Sequence, residues 1–201
     1  MNEPITLSDL VTSIETQSPG IIFIGEAHFS DEGRKLAADL VLALKKNELA
    51  VGLYLEALYS TADVSKGDYR GDVLAYWDDY LGSEGLNYSK LIDLVKSEVA
   101  VHGIDHPQYP GRIKDSESKT RTNWWKKSID EGKELLKVTL AGAGHYWNDT
   151  KKPADILSMM KDPFWLLEPE TAYIPPTPFQ TIRMEHNSKG YILAKYAPLG
   201  N

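Results

Sequence analysis

Four short runs of β-forming residues, Ile21–Ile24, Ala50–Leu55, Val99–Ile104 and Leu136–Ala141, punctuate a chain that otherwise reads mainly as helix. Ile21–Ile24 is apolar at every position, so both faces of that strand must be buried. That is the pattern of parallel strands covered by helices on both sides. The stretch between the first two runs sets the unit. From Ser30 to Asn47 the apolar positions Leu36, Ala37, Leu40, Val41 and Leu44 share one helical face, and Lys35, Lys45 and Lys46 lie elsewhere. Ser30 is the expected N-cap, and Asp31 and Glu32 suit the positive end of the helix dipole. Strand, helix and strand in succession make one βαβ unit.

The remaining pattern fits an α/β fold with a mostly parallel central sheet, flanking helices and a C-terminal antiparallel hairpin. Thr6-Leu-Ser-Asp9 reads as a capping box for a first helix carrying Leu7, Leu10, Val11 and Ile14, stopped by Pro19-Gly20. Helices are expected over Asp72–Leu81, Tyr88–Lys96 (capped by Asn87), Ser118–Leu135 and Ala154–Lys161. A polar segment, His106–Lys119, reads as a loop over the strand ends. Phe164–Glu168 is a fifth strand, and Thr181–Glu185 and Tyr191–Tyr196 flank Asn187-Ser-Lys-Gly190, a hairpin signal. The expected organisation is a single domain over 1–201, with 163–201 as a candidate appended segment.

Composition excludes several function classes. With no cysteine, a disulfide framework, a thiolate zinc site and a cysteine nucleophile are all ruled out. A formal charge of −7 argues against a nucleic-acid footprint. The exception, Arg112–Lys137 with eight Lys/Arg, also carries Asp115, Glu117, Asp130, Glu131 and Glu134, and reads as an exposed helix of mixed charge. The start, Met-Asn-Glu-Pro, has no signal-peptide succession, and no apolar run is long enough to cross a bilayer. The expectation is a cytoplasmic protein with no membrane partner, although export by a route without a cleaved peptide would leave the same sequence.

The chemistry belongs at the carboxyl ends of the strands, where open parallel sheets bind ligands. All four strand ends carry Glu, Asp or His: Gly25-Glu26-Ala27-His28, Glu56, Asp105-His106 and Gly142-Ala143-Gly144-His145. Two share the form Gly-x-x-His. A glycine after a buried strand permits a sharp turn, and the histidine three residues on can then face the sheet end. Glu26, His28, Glu56 and His145 together make an acid–base set. The same four could instead hold a divalent metal. The N-terminus of the following helix offers free N–H groups to an anion. Each residue has a plainer alternative: Glu26 as a helix cap, Glu56 as a solvated strand end, His28, His145 and His106 as loop-start polar residues. His102, inside a strand, reads as structural. His186, beside the hairpin, reads as solvent-facing. Trp124, Trp125, Tyr146 and Trp147 read as core packing, with Tyr146 and Trp147 as candidate walls of the pocket. A Rossmann site is disfavoured, because Trp147 stands where Gly-x-Gly-x-x-Gly needs its third glycine.

The order of these residues resembles the superfamily uniting the erythromycin-esterase-like proteins, the ChaN-like haem-binding lipoproteins and the TraB/TIKI proteins. The resemblance rests on the two Gly-x-x-His motifs and on Glu56 between them, and spans about Ile21 to Trp147. Arg121-Thr-Asn-Trp-Trp125 is similar in place to an arginine that opens a helix in some members, but departs from them at the other positions. The family implies an α/β domain with a mostly parallel sheet. It does not settle the chemistry, since members open macrolide lactones, look like metal-dependent peptidases or bind haem, and some bacterial effectors with related folds cleave nucleotides.

The leading expectation is therefore a hydrolase acting on a small molecule or peptide. One of His28 and His145 is the base, with Glu26 or Glu56 orienting it. Arg121 and the helix start near Ser30 hold the anionic part of the substrate, and Asp105, His106 and Tyr146 complete the substrate-binding set. A divalent metal would be held, if at all, by Glu26, His28, Glu56 and His145. The second expectation is a haem or other planar-ligand binder using a His or Tyr axial ligand. The third is a bacterial toxin or effector domain acting on a nucleotide or a host protein.

Overall fold

The computed structural model describes residues 4–27, 30–69, 72–81, 85–105, 107, 115–142, 163–169, 180–187 and 189–196. In chain order they form α1 (Leu7–Gln17), β1 (Ile21–Glu26), α2 (Glu32–Lys46), β2 (Val51–Tyr59), α3 (Asp72–Leu81), α4 (Tyr88–Val95), β3 (Ala100–Asp105), α5 (Asp115–Asp130), β4 (Leu136–Gly142), β5 (Phe164–Pro169), β6 (Gln180–His186) and β7 (Lys189–Tyr196). The seven strands make one sheet in the order β3-β2-β4-β1-β5-β7-β6. The five strands from β3 to β5 run parallel, and β7 and β6 add an antiparallel hairpin. The expected α/β class and the C-terminal hairpin are both present, and the hairpin continues the same sheet. The expected helix over Ala154–Lys161 lies outside the described residues.

Strand alternation divides the core between the two faces of the sheet. On β1, Ile22 and Ile24 pack with α1, α2 and α4, while Ile21 and Phe23 pack on the other face with Trp125 and Ile129 of α5. Phe23 meets Phe164 of β5 edge-to-face at 5.5 Å. Burial on both faces explains why Ile21–Ile24 of β1 reads as a continuous apolar run. Full burial of one such side chain stabilises the fold by about 1.5–3 kcal/mol.

Local signals account for the starts of three helices. Thr6 and Asp9 form the expected reciprocal capping box on α1, and Asn87 accepts from the Lys90 N–H to cap α4. α2 is capped one residue later than expected. Asp31 holds the cap position, and the Ser30 hydroxyl accepts the Glu32 N–H at 3.3 Å. α5 runs Asp115–Asp130 rather than Ser118–Leu135, and Lys126–Asp130 and Lys127–Glu131 are i,i+4 ion pairs on it.

Two corrections bear on the site. β2 does not stop at Glu56. Its register with β3 shifts between Leu55 and Tyr59, so the strand continues past an irregularity that places Glu56 inside the element. Gly103 makes that path feasible, since a Cβ there would stand 1.9 Å from the Tyr59 carbonyl oxygen. Gly25 and Gly142, expected to turn the chain, are instead paired strand residues: Gly25 lies opposite Ala141, and Gly142 opposite Glu26. Neither glycine therefore turns the chain.

Candidate active site at the strand ends

Four neighbouring strands, β3, β2, β4 and β1, bring Asp105, Glu56, Gly142 and Glu26 to the carboxyl edge of the sheet. Glu26, Glu56 and Asp105 are each at most 2 % exposed. Three carboxylates that deep require compensating donors, and the structure supplies two guanidinium groups.

The first group centres on Glu26. Arg34 of α2, also 2 % exposed, donates from Nη1 to Glu26 Oε2 at 2.8 Å. The Tyr88 hydroxyl of α4 donates to Glu26 Oε1. Arg34 lies over the Tyr88 ring at 5.2 Å and spends its other N–H groups on the Leu86 carbonyl at 2.7 Å and the Ser30 carbonyl at 2.8 Å. Gly33 lets α2 come this close, because a Cβ there would stand 2.7 Å from Glu26 Cβ. Burial pushes the Tyr88 phenol well above the ordinary tyrosine range, and the charges of Glu26 and Glu56 push it further. Tyr88 therefore remains a neutral donor throughout the ordinary pH range.

The second group centres on Arg121 of α5. Its Nε donates to Asp105 Oδ1 at 2.6 Å, and its Nη2 to Asp105 Oδ2 at 2.8 Å and to Glu56 Oε1 at 2.9 Å. Its guanidinium lies 4.8 Å from the Trp125 ring centroid, and Trp125 Nε1 donates to Asp105 Oδ1 at 3.1 Å. The remaining Glu56 oxygen, Oε2, accepts the Gly142 N–H at 2.9 Å. Burial disfavours the Arg121 charge, but its bonds to Asp105 and the charges of Glu56 and Asp105 outweigh that and raise its pKa further.

The arginine expected to face an anionic substrate thus faces two carboxylates. The start of α2, the other expected anion holder, carries Asp31 and Glu32 on its first turn, and Asp31 Oδ2 accepts the Leu86 N–H at 2.9 Å. Of the expected site residues, the fold brings Glu26, Glu56, Asp105 and Arg121 together. His28, His106, His145 and Tyr146 lie outside the described residues. In the sequence His28 follows Glu26 by two positions, and His145 follows Gly142 by three.

Arg34 and Tyr88 were not among the expected residues. Arg34 had a signal: it falls on the α2 stripe with Ala37, Ala38 and Val41, and a charge on a buried stripe demands a partner. Tyr88 had none, because it opens the stripe Tyr88, Leu91, Ile92 and Val95 as an ordinary core residue would.

The donor set bears on metals and haem. Both oxygens of Glu26 and of Glu56 already accept hydrogen bonds, and a guanidinium touches each carboxylate, which opposes a divalent cation there. Among the described residues no group of three or more His, Asp or Glu is arranged to hold a metal ion. Tyr88, enclosed and bonded to Glu26, does not fit the role of a haem axial ligand. These two acid groups do not by themselves fit either cofactor.

Two other histidines depart from the strand-end set. His102, on the edge strand β3, pairs through Nε2 with Glu134 Oε1 at 2.9 Å, and Glu134 also accepts from the Tyr54 hydroxyl. This trio borders a groove of about 500 Å³ between β3 and α5. His186, expected to face solvent, is buried and bonded to Asp39 Oδ2 of α2 at 2.9 Å, because the hairpin strand carrying it packs near α2. Trp125 is core, as expected. No helix among the described residues is long and apolar enough to cross a membrane.

No family model matches the chain, and no curated protein is significantly similar in sequence. Solved structures are similar in fold. ChaN of Campylobacter jejuni, whose structure shows cofacial haem binding, aligns with a TM-score of 0.58 at 13 % identity, over 94 % of this chain and 92 % of that one. The type III effector HopBA1 aligns at 0.55 and 15 % identity, over 92 % and 90 %. RRSP, a MARTX toxin effector domain from Vibrio vulnificus, aligns at 0.52 and 16 % identity, over 80 % of this chain and 35 % of that one. At these identities the likeness establishes a shared fold with a haem-binding protein and with effector domains.

Proposed function

We propose that the chain, acting as one α/β domain, is a metal-independent hydrolase whose base is His28 or His145. The observation that carries this is the burial and engagement of the carboxylates. Every oxygen of Glu26 and Glu56 already accepts a donor and both residues are at most 2 % exposed, which disfavours either as the group that takes a proton from water. The reading therefore assigns the base to one of the two histidines that follow these strands, with the carboxylates acting on them electrostatically. Three carboxylates against two guanidiniums leave one excess negative charge among the described residues of the site. A buried excess of that sign stabilises an imidazolium as it forms, when a histidine takes a proton from an attacking water. Arg121 serves the carboxylates rather than the substrate. Asp105 serves Arg121.

The test is turnover of a panel of activated esters, lactones and nucleotides, with and without chelator. The proposal expects hydrolysis that survives the chelator and falls by about 10²–10⁴ in His28→Ala or His145→Ala. Activity removed by the chelator would overturn the metal-independent form.

A second reading is favoured by the fold shared with ChaN: a binder of haem or another planar ligand. Absence of turnover together with a Soret band on adding haem, erased in a His28 or His145 variant, would select it. The fold shared with HopBA1 and RRSP supports a third, an effector domain whose hydrolytic site acts inside another cell. Toxicity on expression that vanishes in His145→Ala would support it.

A further inference from the structure

The second Gly-x-x-His motif is tied to the rest of the sheet by a bond that nothing in its sequence announces. Its first residue, Gly142, donates its N–H to Glu56 Oε2 across 86 positions of chain. Glu56 is held on its other oxygen by Arg121, and Arg121 is gripped through two nitrogens by Asp105. A two-point grip on a planar guanidinium fixes its orientation as well as its position. Trp125 completes the set, with its N–H on Asp105 and its ring against the guanidinium. All of these side chains are buried or nearly so, and the bonds to charged groups are the strong kind.

We propose that Asp105, Arg121 and Glu56 form a relay that sets the backbone at Gly142 and, through it, the place of His145. Asp105 and Arg121 are positioning residues, and neither touches substrate. This rests on the reading of His145 as a member of the site, and adds which residues place it. It also separates the two motifs. Glu26 lies inside the first motif and is held by Arg34 and Tyr88, whereas the second motif borrows its carboxylate from another strand.

The experiment is NMR of the full chain with labelled glycine and histidine, in wild type, Asp105→Asn, Arg121→Lys and Trp125→Phe, with Asp39→Asn as a control. Lysine keeps the charge of Arg121 but cannot bridge two carboxylates in the same plane. The relay predicts that Asp105→Asn and Arg121→Lys shift both the Gly142 amide and the His145 imidazole, and speed Gly142 amide exchange by about tenfold or more. Trp125→Phe, which removes one bond from Asp105, shifts the same signals less and serves if the charge variants fail to fold. Asp39→Asn moves His186 and leaves Gly142 and His145 in place. An unmoved Gly142 amide in the folded variants overturns the relay, and so does a Gly142 shift that never reaches His145. No substrate enters the test. A sound relay without turnover sinks the hydrolase reading alone, and turnover with an unmoved His145 sinks the relay alone.

Discussion

The two buried acid groups at the strand ends solve the same problem at different ranges. Glu26 and Arg34 are eight positions apart, within one strand–helix step, and the Tyr88 hydroxyl and the Leu86 carbonyl join them from the start of α4 and the residues just before it. Glu56 and Arg121 are 65 positions apart, and their group joins β2, β3, α5 and the end of β4. The Glu26–Arg34 pair at the centre of the first group needs only β1 and α2 to pack. The second requires most of the parallel sheet to be in place. A local pair secures a fold element, whereas a group closed over several elements fixes their relative positions, as a reaction site requires.

Replacing each arginine tests that contrast most strongly. Arg121→Met strands two buried carboxylates, so it is expected to cost at least the about 3–5 kcal/mol of a broken buried pair in denaturant unfolding. Arg34→Met strands one and is expected at the lower end of that range. Equal losses would mean that the second group is no more connected than the first.

Tyr88→Phe is expected to cost less, about 1–3 kcal/mol, by removing one donor to Glu26. It also has a pH signature. The Tyr88 phenol is raised in the folded state above the ordinary value of 10.0, so its contribution is complete below pH 10 and is lost as the pH rises beyond it. Unfolding monitored above pH 10 should therefore be less steeply pH-dependent in Tyr88→Phe. An unchanged alkaline slope would show that the phenol ionises freely in the folded protein.

The smallest effect is expected outside both groups. Burial works against the Glu134 charge, but hydrogen bonds from Tyr54 and His102 outweigh it and hold its carboxyl below the ordinary value of 4.5. Its contribution is present above pH 4.5 and disappears as the pH falls below that. Glu134→Gln should flatten the acid limb of stability while leaving turnover at neutral pH intact. Lost turnover would extend the site to the β3–α5 groove.

Much of this architecture was legible from period and composition. Apolar runs marked the parallel strands because both their faces are covered, and capping residues marked the starts of α1 and α4. Glu26, Glu56 and Asp105 can be picked out because ionisable residues at strand ends are conspicuous against apolar neighbours, and Arg121 through the resemblance of its segment to an arginine that opens a helix. What could not be read was partnership. Arg121 looked like a ligand for anions because its two carboxylates lie 16 and 65 positions away. Tyr88 looked like core because its ring is core, and only its hydroxyl belongs to the site. His186 looked exposed beside a turn, since nothing local shows that the hairpin brings it to Asp39. The continuation of β2 past Glu56 is not legible either, because an irregular register carries no fixed residue pattern.

The central claim is that both histidine motifs converge on these two acid groups. A nuclear Overhauser measurement between the imidazole protons of His28 and His145 and the side-chain protons of Glu26 and Glu56 tests it most directly. The account predicts contacts from both imidazoles to the glutamates and to each other. An imidazole that contacts neither glutamate would contradict it, and would remove that histidine from the site.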